Sequence, residues 1–244
     1  MIVQIFSDLH LETYPNYPKI TPYCDIIILV GDISLINTLF IDFIKYCSKN
    51  WKYVIFVKGN HECYYHSIET IDKIIIDTFK NNNLMNVHFL NNQSLIIDNY
   101  EFIGSVFWSN SDKNVKYYIN DFNKINNFTY DKYIKKHLED KEYLLKKLNE
   151  KTEYKKIFIT HFPPIFDKKL ENIKYKNQSK TLTNYFHNSL SIETLNLTNY
   201  WIFGHTHDYC NCLINNTTLI SNPLGYKCEK EPKLKFNLSG LFIL

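Results

Sequence analysis

The chain has 244 residues, of which 45% are hydrophobic, 16% aromatic and 22% charged, with 6 glycines and 7 prolines. This composition excludes a disordered chain and a fibrous or low-complexity one, and the length is enough to bury a full core as one domain spanning residues 1–244. A net charge of +3, from 28 Lys+Arg against 25 Asp+Glu, is too balanced to announce a nucleic-acid surface. Apolar runs such as Ile26–Val30 fall far short of the ~18–20 residues that a membrane span needs.

Every basic residue is a lysine and no arginine occurs. No bidentate guanidinium can therefore clamp a phosphate, and an anion site has to use Lys, backbone N–H groups or metal. Met1 leads straight into an apolar run, Ile2–Phe6, with no basic start and an acidic residue at Asp8, so the expectation is a cytoplasmic protein without a secretory leader. Its 6 cysteines are then expected as thiols, with Cys210 and Cys212 in a strand rather than a metal site, since no second pair matches them.

Along the chain, five short runs rich in β-branched and aromatic residues read as buried strands: Ile2–Phe6, Ile26–Val30, Tyr53–Val57, Ile157–Ile159 and Tyr200–Phe203. Helical patterns near Leu35–Ser48 and Ile68–Lys80 follow the second and third, and this alternation argues for an α/β core with parallel pairing. Val87–Leu90, Leu95–Ile97 and Glu101–Phe107 read as successive strands of a second sheet. Lys132–Asn149 reads as an amphipathic helix, with Ile134, His137, Leu138, Leu145 and Leu148 on one face and a solvated lysine face opposite. Cys210–Leu213, Thr217–Ser221 and Lys235–Leu244 are again strand-like. The fold class expected is α/β, with two mixed sheets covered by helices.

Each of the five runs gives way to residues of metal-ligand type. Ser7-Asp8-Leu9-His10, Gly31-Asp32, Gly59-Asn60-His61-Glu62, Thr160-His161 and Gly204-His205-Thr206-His207 stand just beyond them, and hold five of the 9 histidines. Sites in open α/β sheets form beyond the carboxyl ends of strands. Asp, His and Asn together make a mixed oxygen and nitrogen donor set suited to Mn²⁺, Fe or Zn²⁺. On extended backbone, Asp-x-His and His-x-His place both side chains on one side. One carboxylate can bridge two ions, as in two-metal hydrolases. Asp-x-His and Gly-Asp alone are weak, and Gly59-Asn60-His61-Glu62 and Gly204-His205-Thr206-His207 moderately specific; all five in this order, each directly after a strand, are not an accident of packing.

The set resembles that of the calcineurin-like metallophosphoesterase superfamily over almost the whole chain, and is similar above all to a compact bacterial-type branch. Val87-His88-Phe89-Leu90, Phe102-Ile103-Gly104, Asn120-Asp121-Phe122 and Asn222-Pro223-Leu224-Gly225-Tyr226 share in the likeness. The resemblance implies a four-layer α/β/β/α sandwich of two mixed sheets flanked by helices. It implies two divalent metal ions (Mn, Fe or Zn): Asp8, His10, Asp32 and His207 would hold one, and Asp32, Asn60, His161 and His205 the other, with Asp32 bridging. A hydroxide bridging the ions would attack phosphorus, Asn60 would touch a phosphate oxygen, and His61 would be the acid that meets the leaving-group oxygen.

The Asp-Arg-Gly signature of protein phosphatases is missing, because Gly31-Asp32 runs on into Ile33-Ser34-Leu35. The expected partner is instead a small phosphorylated substrate, hydrolysed as a monoester or, alternatively, as a cyclic or dinucleotide diester; a scaffold that had lost its ligands would lack residues present here. Glu12 and Asp208, beside ligand positions, are candidates to hold histidine N–H groups. At least one of Tyr64, Tyr65 and Trp108 is expected to line the site, where an exposed ring could stack on the base of a nucleotide-like substrate, the alternative being that they belong to the core. Specificity is expected in the loops 110–130 and 166–183.

Overall fold

The structure, a computed structural model, describes residues 1–166, 178–230, 232 and 235–244. Its strands are β1 (Ile2–Phe6), β2 (Ile26–Val30), β3 (Tyr53–Val57), β4 (Val87–Phe89), β5 (Gln93–Ile97), β6 (Tyr100–Ser105), β7 (Lys155–Thr160), β8 (Tyr200–Ile202), β9 (Cys210–Ile214), β10 (Thr217–Ser221) and β11 (Leu241–Ile243). They form two sheets, in the orders β11-β1-β2-β3-β4 and β5-β6-β7-β8-β10-β9. The first sheet is parallel except at its β11 edge; in the second, β6, β7, β8 and β10 run parallel and β5 and β9 antiparallel.

Alternation along each strand divides the core into three interfaces. In the first sheet Val3, Ile5, Ile26, Ile28, Val30, Ile55 and Val57 point inward and meet Phe102, Ile157, Ile159, Ile202 and Ile220 of the second. Phe6, Ile27, Leu29, Val54 and Phe56 point outward under helices α1 (Thr38–Asn50) and α2 (Ile71–Asn81), which supply Phe40, Phe43, Ile44, Ile75 and Phe79. On the far side Ile103, Phe158, Trp201 and Leu219 pack against Leu144 and Leu148 of helix α4 (Tyr130–Asn149). Two sheets back to back, each with a helical cover, make the four-layer sandwich. No helix among the described residues is long and apolar enough to cross a membrane.

The structure departs from the sequence reading in three places. Val87–Phe89 joins the first sheet, parallel to β3, rather than the second. Of the 235–244 stretch, only Leu241–Ile243 pairs, as the antiparallel edge beside β1. The buried stripe of α4 runs through Tyr133, His137, Asp140, Leu144 and Leu148, leaving Leu138 58% exposed. A buried acid reset that register: Asp140 accepts from Asn92 Nδ2 and from the Trp108 N–H, a structural demand that hydropathy alone does not carry. Shorter helices α3 (Asp121–Lys124) and α5 (Lys180–Phe186) lie in the two expected specificity loops, and residues 167–177 of the second loop lie outside the described residues.

At Gly104 of β6 the two sheets approach so closely that a Cβ would overlap the Leu90 Cβ and touch Val57 Cγ2. A Gly104→Val substitution should therefore destabilise the chain by ~1–3 kcal/mol, the usual cost of overpacking a core. Urea denaturation measures it; a midpoint unchanged from wild type would mean that the sheets can part at no cost.

Candidate metal centre

Strands β1, β2, β3, β7 and β8 end at one rim, and the chain turns sharply there. Asp8, His10, Asp32, His205 and His207 all adopt left-handed backbone, with φ of 48, 44, 51, 71 and 54°. Such residues cost about 1–3 kcal/mol each and gather at functional sites. This corrects the extended geometry expected for Asp-x-His and His-x-His: left-handed turns, not strand alternation, converge the side chains. Asp and His tolerate this region better than most residues. The loops continue the sheet ladder as they turn, with the N–H of Asp8 donating to Gly31 O (3.0 Å), that of His10 to Asp32 O (2.9 Å) and that of Gly204 to His161 O (2.9 Å).

A buried carboxylate ties two of these loops together. Glu62 accepts from the backbone N–H groups of Gly59 (2.6 Å), Ile33 (2.7 Å) and Asp32 (3.0 Å). Burial, helped by the Asp32 charge, pushes its carboxyl up to about 7 against the pull of those donors. Asp32 Oδ1 in turn accepts from the His61 N–H, and Asp8 Oδ1 from the His205 N–H, both at 2.9 Å.

All the residues expected as ligands are brought together. Donor atoms of Asp8, His10 and His207 lie within 4.8 Å of one another, as do those of Asp32, His161 and His205; Asp32 also groups with His10 and His61. Asp32 faces both clusters, with Oδ2 3.7 Å from His10 Nε2 and Oδ1 3.4 Å from His161 Nε2.

At His10, His207 and His161 the outer ring nitrogen is committed, which assigns the tautomers. His10 Nδ1 donates to Glu12 Oε1 (3.0 Å), His207 Nδ1 to Glu229 Oε2 (2.6 Å) and His161 Nδ1 to Val30 O (3.0 Å). The Nε2 lone pairs of His10 and His207 then face each other at 2.9 Å. Asn60 donates Nδ2–H to Asp121 (2.9 Å), so its Oδ1 faces His161 Nε2 at 3.1 Å, again acceptor against acceptor. Asp8 Oδ2 and His205 Nε2 are buried with no hydrogen-bond partner among the described residues. Both clusters thus call for a positive charge at their centres, and their mixed oxygen and nitrogen donors fit Mn²⁺, Fe or Zn²⁺.

In the metal-free chain protons supply that charge. Burial disfavours charge on every one of these rings. At His10 and His205 it prevails and lowers the pKa. At His161 the Asp32 carboxylate outweighs it and raises the pKa to about 9; at His207 Glu229 and Asp8 also shift it upward. Each cluster pairs one raised with one lowered histidine.

Beside the clusters lies a cavity of about 280 Å³ whose lining includes Asp32, Asn60, His61, His205 and His207 together with Tyr118, Ile119, Leu182 and Phe186. His61 Nδ1 donates to the same Glu12 oxygen as His10 (3.0 Å), while its Nε2 meets Tyr226 Oη at 3.0 Å.

Of the aromatics expected here, Tyr64 lines the cavity but commits its hydroxyl to Asp121 (2.9 Å). Tyr65 is 57% exposed and lies against Lys124 instead, and Trp108 is 1% exposed in the core against Phe128 and Phe162. Glu12 holds histidine N–H groups as expected; Asp208 pairs with Lys235, and Glu229 serves His207. Asp121 and Tyr226 sit in segments that share in the family resemblance, but no local pattern signals Glu229. Cys63 is buried, and burial pushes its thiol far up, as befits a packed rather than a reactive group. Cys210 and Cys212 are neighbours on β9 with Sγ atoms 3.3 Å apart, a strand role as expected.

The family model of calcineurin-like phosphoesterases matches residues 1–209. An uncharacterized protein of Acanthamoeba polyphaga mimivirus is 28% identical over 265 residues, which cover 94% of this chain and 93% of that protein. Among solved structures, a phosphopantetheinyl hydrolase from Mycobacterium tuberculosis superposes with a TM-score of 0.72 at 14% identity, over 98% of this chain and 94% of its own.

Ligation by His161 would require it to shed the proton it otherwise holds up to a pKa of about 9. Adding Mn²⁺ to the metal-free protein at pH 7 should therefore release protons, and affinity should rise with pH toward 9 and fall below it. Titration calorimetry in two buffers of different ionisation enthalpy counts the protons. Binding with none released would show that His161 is not displaced.

Proposed function

Because the chain belongs to the calcineurin-like phosphoesterase family, we propose that it is a dimetal phosphoesterase acting at the Asp32 rim on a small phosphate ester. The observation that carries this reading is the facing of acceptor on acceptor at His10–His207 and at Asn60–His161, 2.9 and 3.1 Å apart, which only a shared cation or proton relieves. Asp8, His10, Asp32 and His207 would hold one divalent ion and Asp32, Asn60, His161 and His205 the other. When bound, such a pair neutralises phosphate charge and supplies an activated water.

The chain's own groups do the rest. Asn60, on the cavity wall, is within reach of a phosphate oxygen. His61 is the general acid: burial opposes charge on its ring, but Asp32 and Glu12 outweigh it and hold its proton up to a pKa of about 9. Glu12 pins Nδ1–H, so the proton available to a leaving-group oxygen is the one on Nε2, at the cavity. Burial would raise the Glu12 carboxyl, yet the His10 and His61 hydrogen bonds bring it down to about 2, so it stays an acceptor for both rings. Tyr118, Ile119, Leu182 and Phe186 add aromatic and aliphatic surface to the cavity, beside Asn120 and Gln178. That surface supports an ester with a nucleotide-like arm over a small sugar phosphate.

Two substitutions test this reading. Asp32→Asn removes the carboxylate that faces both clusters, and elemental analysis of the reconstituted protein should show fewer than two ions per chain. Two ions with undiminished hydrolysis would refute the shared ligand. His61→Ala should keep both ions but slow hydrolysis by roughly 10²–10⁴-fold, with a smaller loss for a nitrophenyl ester that needs little protonation. Loss of metal would instead make His61 a ligand.

A further inference from the structure

We infer that Asp121 is a positioning residue that holds the Asn60 amide with its oxygen, rather than its nitrogen, turned toward His161 and the second metal position. The inference rests on the dimetal reading above and adds to it a residue from the specificity loop, on the short helix α3.

Asp121 is 1% exposed and is surrounded by donors: Asn60 Nδ2 at 2.9 Å, Tyr64 Oη at 2.9 Å and Tyr185 Oη at 2.7 Å. A carboxylate only accepts, so the end of the amide that faces it has to be the NH₂. The planar amide then turns Oδ1 the opposite way, to 3.1 Å from His161 Nε2. The two tyrosine hydroxyls hold the carboxylate itself in place, one from the loop after β3 and one from α5.

The alternative orientation shows what Asp121 prevents. With the amide reversed, Nδ2–H would point at His161 Nε2, donor against donor while the ring holds its proton, and would satisfy that nitrogen without any cation once the ring is neutral. In either state it would leave no ligand oxygen. At the other end, the reversed amide would press Oδ1 against the Asp121 carboxylate at hydrogen-bond distance, acceptor on acceptor. Asp121 therefore selects the cation-competent orientation over one that closes the site on itself.

The test compares wild type with Asp121→Leu, Asp121→Asn and the double variant Asp121→Leu/Asn60→Asp, using Mn²⁺ alone and a competing chelator dye to read each ion's affinity. Asp121→Leu removes the acceptor and should weaken the second ion by roughly 10–100-fold, the usual worth of an outer partner of a metal ligand. Asp121→Asn keeps an acceptor and should retain most of the affinity. Adding Asn60→Asp to the leucine variant should restore it, because a carboxylate has no wrong end; a loss due only to disrupted packing would not be rescued.

Wild-type affinity in Asp121→Leu, or no rescue, overturns the inference alone. A wild-type chain that saturates with one ion overturns the dimetal reading with it. Nuclear Overhauser contacts of the Asn60 NH₂ in the metal-free wild type give a reading that needs no variant. Contact with the Tyr64 ring is expected, and contact with the His161 ring instead would refute the assignment.

Discussion

Two pairs of acceptors held face to face, His10 against His207 and Asn60 against His161, set the terms for everything around them. Neither pair is tolerable in a buried place without positive charge between its members. The surrounding groups make relaxation impossible. Glu12, Glu229 and the Val30 carbonyl each hold an outer ring nitrogen, so no ring can turn to offer an N–H inward without losing a partner. Asp8 and Asp32, on the same rim, add negative charge rather than relieving the need.

Such an arrangement costs stability, and the fold offsets it. Five of the candidate ligands sit in left-handed turns, and strained backbone persists only where its surroundings over-determine it. Here they do. Backbone ladders continue past the strand ends, Glu62 gathers N–H groups from two loops, and the Ser7–Pro223 bridge joins the end of the first sheet to the segment after β10. Behind the rim, three apolar interfaces with fully buried strands supply the rigidity that local geometry lacks.

How much of this was legible in the sequence depends on the range of each interaction. The five strands and the residues ending them could be read because period-2 burial and a short turn are local properties. The α/β class and the convergence at one rim come from parallel strands with helical crossovers. Sheet membership was less legible: Val87–Phe89 has the same composition wherever it pairs, and the choice of β3 as partner is tertiary. The register of α4 escaped because a buried acid, Asp140, displaced Leu138 from the core. Left-handed turns at Asp8 and His10 leave no mark when the residues are needed for chemistry as well. Partners such as Glu229 for His207 and Asp121 for Asn60, 22 and 61 positions apart, are fixed only by the packed fold.

The absence of arginine gives the rim its particular character. A guanidinium would be a permanent cation, attracting a phosphate whatever the state of the site. Histidines carry no such commitment. In the metal-free chain His161 and His207 are pushed toward the protonated form by the carboxylates beside them, while His205 and His10 are pushed the other way by burial. Protons then occupy the gaps that the donor geometry shapes for larger cations, and the two compete for the same lone pairs. Positive charge at the rim is in this way exchangeable rather than built in. The attraction for a phosphate anion depends on what fills the two gaps, and the outer partners that pin the rings, Glu12, Glu229 and the Val30 carbonyl, keep those gaps open in either state.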